Sequence, residues 1–317
     1  MINVAKKQAI LNEILLNEGA LVDGKNLLPV SLTPYLIKYS DYINLSNMCK
    51  YIISALEKLL RLYVKDKDVQ KYYPELTAYR DLSLNIPAYS NWIHLARFDI
   101  VETEEGNFKL LETNCDCPGA IILVSIIDRA CSSIGMENFV GYHKPYLQPI
   151  NDENYFINSL LRLYKETKGD YIPNIAFLSS QYRSITSDMD LLERVSKKIG
   201  INGIHAKVQD LAYKRGRVYA KNIAIDLAYQ KFDAFIDDDM QAKPCIYEKS
   251  PEEVRAYFTG IKDKKIITVN SFPSSLIAEN KRSLAYLQQD QFKKNFSDKE
   301  NEAINKLIPK TYTFVKD

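Results

Sequence analysis

The sequence predicts an α/β protein, and three stretches carry that prediction. Residues Arg97–Ala120 (RFDIVETEEGNFKLLETNCDCPGA) have the alternation and turn residues of a β-hairpin. Residues Asn174–Val208 place a helical pattern between two short apolar strands, the β-α-β order that favours a parallel sheet. A strongly amphipathic helix follows Ser46, with a long apolar stripe to cover a core.

Taken in order, Val4–Glu18 has Ile10, Leu11, Ile14 and Leu15 at helical spacing, and Gly19 closes the pattern. Leu27–Tyr42 contains Pro29 and Pro34 and is expected to be an extended lead-in. Ser46 is the expected N-cap of the next helix, in which Ile52, Ala55, Leu56, Leu59, Leu60 and Tyr63 fall on one face. Lys65–Asn91 is a polar, tyrosine-rich connector leading into Trp92–Leu95. In the hairpin, Ala96–Val101 alternates apolar with polar, Glu104–Asn107 supplies the turn and Phe108–Thr113 returns. Pro118-Gly119 ends the second strand, and Ala120–Ile134 reads as a helix.

Two prolines and few aliphatic residues over Tyr142–Asp152 mark a boundary. Beyond it, Asn154–Glu166 is helical and Asn174–Ser180 is a short buried strand. Asp188–Ile199 is a helix with apolar Leu191, Leu192, Val195 and Ile199, ended by Gly200, and Gly203–Val208 is a second strand. Arg217–Tyr219 and Ile223–Ala228 flank a turn, and Ala234–Ile236 is a further strand. Ser250 and Pro251 have the chemistry of a cap and first residue for a helix over Pro251–Thr259. Lys265–Val269 is a strand, and Ser274–Leu287 carries Lys281. Three segments result: residues 1–150, with helices and the hairpin; 151–262, a small α/β unit; and 263–317.

Composition excludes several classes. Hydrophobic content of 46% and charged content of 26% are those of a globular protein. The net charge of +2 arises from 42 basic and 40 acidic residues that are interspersed, so neither nucleic acid nor an anionic membrane is an expected partner. Met1–Leu16 lacks the apolar core and cleavage site of a signal peptide, and the longest apolar run, near Ala120–Ile127, is too short for a membrane span. A cytoplasmic location is the expectation. The cysteines Cys49, Cys115, Cys117, Cys131 and Cys245 are an odd, scattered set, and Cys115-Asp116-Cys117 lacks a second pair at zinc spacing. Their thiols either line the substrate side of the hairpin loop or are buried. No G-x-G-x-x-G follows a strand of the small α/β unit, so no dinucleotide is expected there.

The hairpin carries the chemistry. Side chains two apart on a strand share a face, which joins Arg97 to Asp99 and Glu112 to Asn114. Phe98, Ile100 and Leu111 are expected on the other face. Two carboxylates and an amide suit a hard divalent cation such as Mg2+, and a neighbouring arginine can neutralise charge on a transferring phosphoryl group.

As ordered, Arg97-Phe98-Asp99, a short hairpin and then Leu111-Glu112-Thr113-Asn114-Cys115-Asp116-Cys117-Pro118 resemble the R-x-D … E-x-N-x-D-x-P signature of glutathionylspermidine synthetase-like ligases. These form a circularly permuted branch of the ATP-grasp superfamily. The resemblance implies an ATP-grasp-type mixed sheet, a helical N-terminal region and a small Rossmann-like (pre-ATP-grasp) substrate domain over residues 151–262. It assigns Mg2+ to Asp99, Glu112 and Asn114, and catalytic assistance of phosphoryl transfer to Arg97. Lys281, with a leucine three residues on, takes the role of a lysine reaching the ATP phosphates. Cys117 falls on the substrate side where the family has a hydroxyl residue, which leaves the acyl substrate open.

The reaction so implied activates a small-molecule, peptide-like carboxylate with ATP as an acyl phosphate, which an amine then displaces. In the family's order the strands and glycine-rich loop that cover ATP come after the position of Asp317, and the 11 glycines here form no phosphate-cradling cluster. The expectation is a fragment, or a degenerate relative that keeps the metal-binding half, inactive without the rest. Two rival readings stand beside the ligase. One is a non-catalytic binding or scaffold relative, and the other a metal-dependent phosphotransferase or hydrolase built on the same hairpin.

Overall fold

A computed structural model describes residues 4–22, 26–33, 35–74, 76, 84, 91–116, 118–119, 121–136, 153–179, 186–231, 234–236, 242–244 and 252–313. The boundary at Tyr142–Asp152, much of the Lys65–Asn91 connector, and Cys117, Cys245, Ser250 and Pro251 lie outside them.

Helix α1 (Val4–Glu18) precedes a two-stranded ladder of β1 (Leu21–Val22) and β2 (Asn26–Leu27). Helices α2 (Tyr39–Lys65) and α3 (Lys67–Lys71) lead to the hairpin β3 (Arg97–Glu102) and β4 (Phe108–Asn114). After α4 (Ile121–Ser133) and α5 (Glu153–Lys168) come β5 (Ile175–Ser179), α6 (Thr186–Lys198) and β6 (Gly203–Lys207). Strands β7 (Ala212–Lys214), β8 (Arg217–Ala220) and β9 (Ile223–Ala224) form an antiparallel meander. Strand β10 (Leu227–Lys231) follows, and β11 (Ala234–Ile236) then pairs with β12 (Ala242–Pro244). The chain continues through α7 (Arg255–Lys262), β13 (Ile267–Thr268), a π-helical turn at Ser274–Ala278, α8 (Lys281–Leu287) and α9 (Asp298–Leu307). This is a mixed α/β protein with several small sheets. No helix among the described residues is long and apolar enough to cross a membrane.

The chain divides into two compact units, each assembled from separated segments. The first gathers Met1–Tyr35, Gly119–Phe235 and Cys245–Ile267; the second gathers Leu36–Pro118, Ile236–Pro244 and Thr268–Asp317. The first unit is built on a four-stranded sheet in the order β13-β10-β5-β6, with β5 parallel to both β6 and β10. Strand β5 is an unbroken buried run, as a central parallel strand covered on both faces requires. The expected β-α-β order is present as β5-α6-β6, with Leu191, Leu192 and Val195 buried and Gly200 at φ 77° just past the helix. A Cβ at Gly203 would lie 1.8 Å from Ser196 Oγ and 2.8 Å from Phe177 Cε2, so α6 packs on β6 only because that position has no side chain. The meander turns at Arg215-Gly216 and Lys221-Asn222, all with positive φ, as two-residue hairpins with a matching twist demand.

Sequence periodicity misplaces two elements of this unit. Ile223–Ala228 is not one strand, because Ile223–Ala224 completes the meander while Leu227 opens β10. Between them the Asp226 carboxylate accepts from Asn174 N and Arg217 Nη2, both at 3.0 Å, and holds the chain where it passes from one sheet to the other. The expected helix at Pro251–Thr259 forms instead at Arg255–Lys262, with Val254 at its start and no side-chain cap.

In the second unit, α2 begins at Tyr39 rather than after Ser46. Neither glycine nor proline interrupts Tyr39–Lys65, so the helix extends well upstream of the buried stripe, and Ser46 lies inside it. The stripe itself is core: Ile52, Ala55, Leu56, Leu59, Leu60 and Tyr63 are fully buried. Short α3 interrupts the expected connector, capped by Asp66, whose carboxylate accepts from Asp68 N at 2.8 Å. Helix α9 opens with a Ser297/Glu300 capping box and packs on α2, where Glu300 meets Lys58 Nζ and Ser54 Oγ, each at 2.6 Å.

Candidate functional site

All the described candidate residues belong to the second unit. Strands β3 and β4 pair Arg97 with Asn114 and Asp99 with Glu112, so the four side chains form two directly opposed pairs on one face. The register then shifts: Ile100 opposes Leu110, leaving Leu111 as the extra residue of a bulge. This corrects the expected alternation. Leu110 is fully buried with the apolar face, and Leu111 is turned out, 47% exposed.

Two carboxylates face to face repel unless cations compensate. Here the Arg97 fork grips Asp99, with Nε 2.8 Å from Oδ1 and Nη2 3.1 Å from Oδ2. Asn114 Nδ2 reaches Asp99 Oδ1 at 3.4 Å. Lys281 Nζ lies 3.1 Å from Glu112 Oε2, so a residue 169 positions downstream (281 − 112) closes the cluster. The hydrogen bond from Arg97 holds the Asp99 carboxyl below the usual carboxylate range, while the same bond raises the Arg97 guanidinium. The pairs are half-exposed and contribute little to stability. Lys281 is the first residue of α8, whose N-cap Asn280 accepts from Arg282 N at 2.9 Å.

What fixes this face is a set of polar side chains that periodicity does not single out. Glu57, on the buried side of α2, accepts from Trp92 N and Ile93 N, both at 2.7 Å. Asn270 is fully buried at φ 61°; its Oδ1 accepts from His94 N (2.7 Å) and Leu95 N (2.9 Å). Its Nδ2 donates to Leu95 O (2.7 Å), Cys115 O (2.8 Å) and Asp116 O (3.0 Å). Glu279 Oε2 accepts from Cys115 N at 2.9 Å and Asp116 N at 2.6 Å. The chain entering β3 is thereby tied to the chain leaving β4, which supports the register of the paired carboxylates. The sequence holds one usable signal for this: Asn270 follows a strand pattern immediately before Ser271-Phe272-Pro273, and asparagine is among the few residues that accept positive φ. Glu57 and Glu279 carry no such mark.

Cys115 is fully buried, and burial pushes its thiol far up, so it is an inert, protonated side chain. Buried placement, not the lining of a substrate face, is therefore its outcome. Cys117 lies outside the described residues.

The oxygen donors of Asp99, Glu112 and Asn114 are of the type that holds a hard divalent cation, and beside them stand Arg97 and Lys281, side chains of the type that pairs with phosphate. No protein-family model matches the chain, and no curated protein matches it in sequence.

Proposed function

We propose that the chain is an ATP-dependent carboxylate–amine ligase of the glutathionylspermidine synthetase-like type, with the β3–β4 face as its Mg-ATP site. One observation supports this above others. Four residues selected by their resemblance to one signature, and Lys281 selected by its resemblance to a second segment of the same family, meet with Arg97–Asp99 and Lys281–Glu112 in direct contact.

The chemistry follows from the charges. Asp99, Glu112 and the Asn114 amide oxygen would hold Mg2+, which would supply positive charge to offset that of the phosphates. Arg97 and Lys281 each neutralise one carboxylate in the free protein. With a metal held by the carboxylates, these two cations would serve phosphoryl oxygens, Arg97 through its planar fork and Lys281 as a point charge. The protein's part is to hold both reactants in place, and the Glu57–Asn270–Glu279 set makes the face rigid enough to do so.

Isothermal titration of the chain with Mg-ATP tests the site, and ADP release in the presence of carboxylate and amine pools tests the reaction. The expected result is Mg-ATP binding that Asp99→Asn with Glu112→Gln abolishes. Mg-ATP binding left unchanged by that double substitution, or no binding at all, overturns the proposal. ADP release without an amine would point to the hydrolase instead, and binding without release under any pool to the scaffold.

A further inference from the structure

In the first unit, Asp190 and Glu193 lie three residues apart on α6 and therefore on one side of it. Beside them runs β6, the last strand of its sheet, carrying His205. His205 Nδ1 is 2.6 Å from Asp190 Oδ1, and the His205 backbone N–H donates to Glu193 Oε2 at 2.8 Å. One ligand atom from each of the three side chains lies within 4.8 Å of the other two. Lys197 closes on the other Glu193 oxygen. Burial alone would raise the Glu193 carboxyl, but the bonds from Lys197 and His205 N outweigh it and hold it ionised.

The second nitrogen of the imidazole is separately fixed. His205 Nε2 is 3.1 Å from the hydroxyl of Ser179, a residue only 4% exposed at the end of β5. A hydrogen bond at the distal nitrogen is what orients a metal-binding imidazole and selects its tautomer. The order Ser179–His205–Asp190 is also that of a nucleophile–base–acid relay. Burial argues against that use, because the hydroxyl is enclosed while the Asp190 side chain is 64% exposed, the reverse of what an acyl substrate needs.

We infer that Asp190, Glu193 and His205 form a binding site for a borderline divalent transition ion of the Zn2+ class, a function separate from the hairpin face. One imidazole nitrogen and two carboxylates match that class, and three protein ligands leave positions for water. With its ring proton on Nδ1, His205 donates to Asp190 and accepts from Ser179. On metal binding the ring proton sits on Nε2, Ser179 turns from donor to acceptor, and the Nδ1 lone pair takes the ion. This tautomer exchange leaves the number of protons on the ring unchanged. A Glu193 oxygen has two lone pairs and can keep its backbone hydrogen bond while binding the ion.

Co2+ titration of the full chain, followed by visible d–d absorption and reversed with Zn2+, tests this. The expected result is a Co2+ absorption displaced by Zn2+, with affinity falling at least about tenfold in Asp190→Asn and in His205→Asn. The hairpin double variant Asp99→Asn with Glu112→Gln is expected to bind Co2+ at this site as the parent does. Asp190 is exposed, so Asp190→Asn gives a readout even if His205→Asn fails to fold. No Co2+ spectrum, or a Co2+ site untouched by Asp190→Asn, overturns the inference.

Discussion

Replacing Asn270 by alanine should loosen the hairpin base. The side chain makes five hydrogen bonds to the backbone of residues 94, 95, 115 and 116. Alanine leaves His94 N and Leu95 N without their acceptor, at about 1–3 kcal/mol for each orphaned buried donor. Cys115 O keeps a bond from Ser274 Oγ at 3.1 Å, so it adds little. Holding alanine at φ 61° adds about 1 kcal/mol more. His94 and Leu95 are half-buried and partly open to water, which favours the lower half of the range, about 3–5 kcal/mol in all. Trp92, the sole tryptophan, sits at this base with its carbonyl accepting from Ser271 N at 2.8 Å, so its fluorescence reports the local transition. With a urea slope of about 1–3 kcal/mol per M, the Trp92 midpoint should fall by roughly 1–5 M. Asn270→Gly, which removes the φ cost alone, should recover about 1 kcal/mol of the loss. An alanine variant within 1 kcal/mol of the parent would refute the idea that Asn270 holds the two chain segments together.

Arg97→Lys keeps the charge and loses the fork that spans both Asp99 oxygens; where amine-dependent ADP release is obtained, it should fall about 10²–10³-fold with Mg-ATP affinity within a few-fold, and equal turnover would make Arg97 structural. Gly203→Ala should cost about 3 kcal/mol or more, because the new methyl meets Ser196 and Phe177; amide exchange in β5 and β6 would rise, whereas protection matching the parent would show that α6 can shift. Glu300 supplies a pH dependence. Burial raises its carboxyl, but bonds from Lys58, Ser54 and Ser297 outweigh it and hold it below the ordinary value of 4.5. Its contribution is thus fully present above about pH 4.5 and lost as pH falls through the lower folded value, so Glu300→Gln should flatten acid unfolding there. An acid-unfolding curve of the same steepness in Glu300→Gln would remove Glu300 from that account.

By itself the sequence determined what depends on neighbours along the chain. Period-two alternation and a Glu-Glu-Gly-Asn turn marked the hairpin. Helical spacing marked the α2 stripe from Ile52 to Tyr63, and an apolar run followed by a periodic helix and Gly200 marked β5-α6-β6. The two-apart rule also placed Arg97 with Asp99 and Glu112 with Asn114, because side-chain alternation holds on either side of a bulge. The bulge itself was hidden, since Leu110 and Leu111 are chemically alike and only the opposing strand decides which is turned out. Helix starts misled where an interior serine had the chemistry of a cap, as at Ser46. Tertiary structure alone decided that Lys281 meets Glu112, and that Glu57, Asn270 and Glu279 secure the hairpin base. It alone set His205 against two carboxylates of α6. These contacts join residues from 12 to more than 170 positions apart through single side chains, and one-dimensional patterning carries no record of which distant backbone groups a buried polar side chain will satisfy.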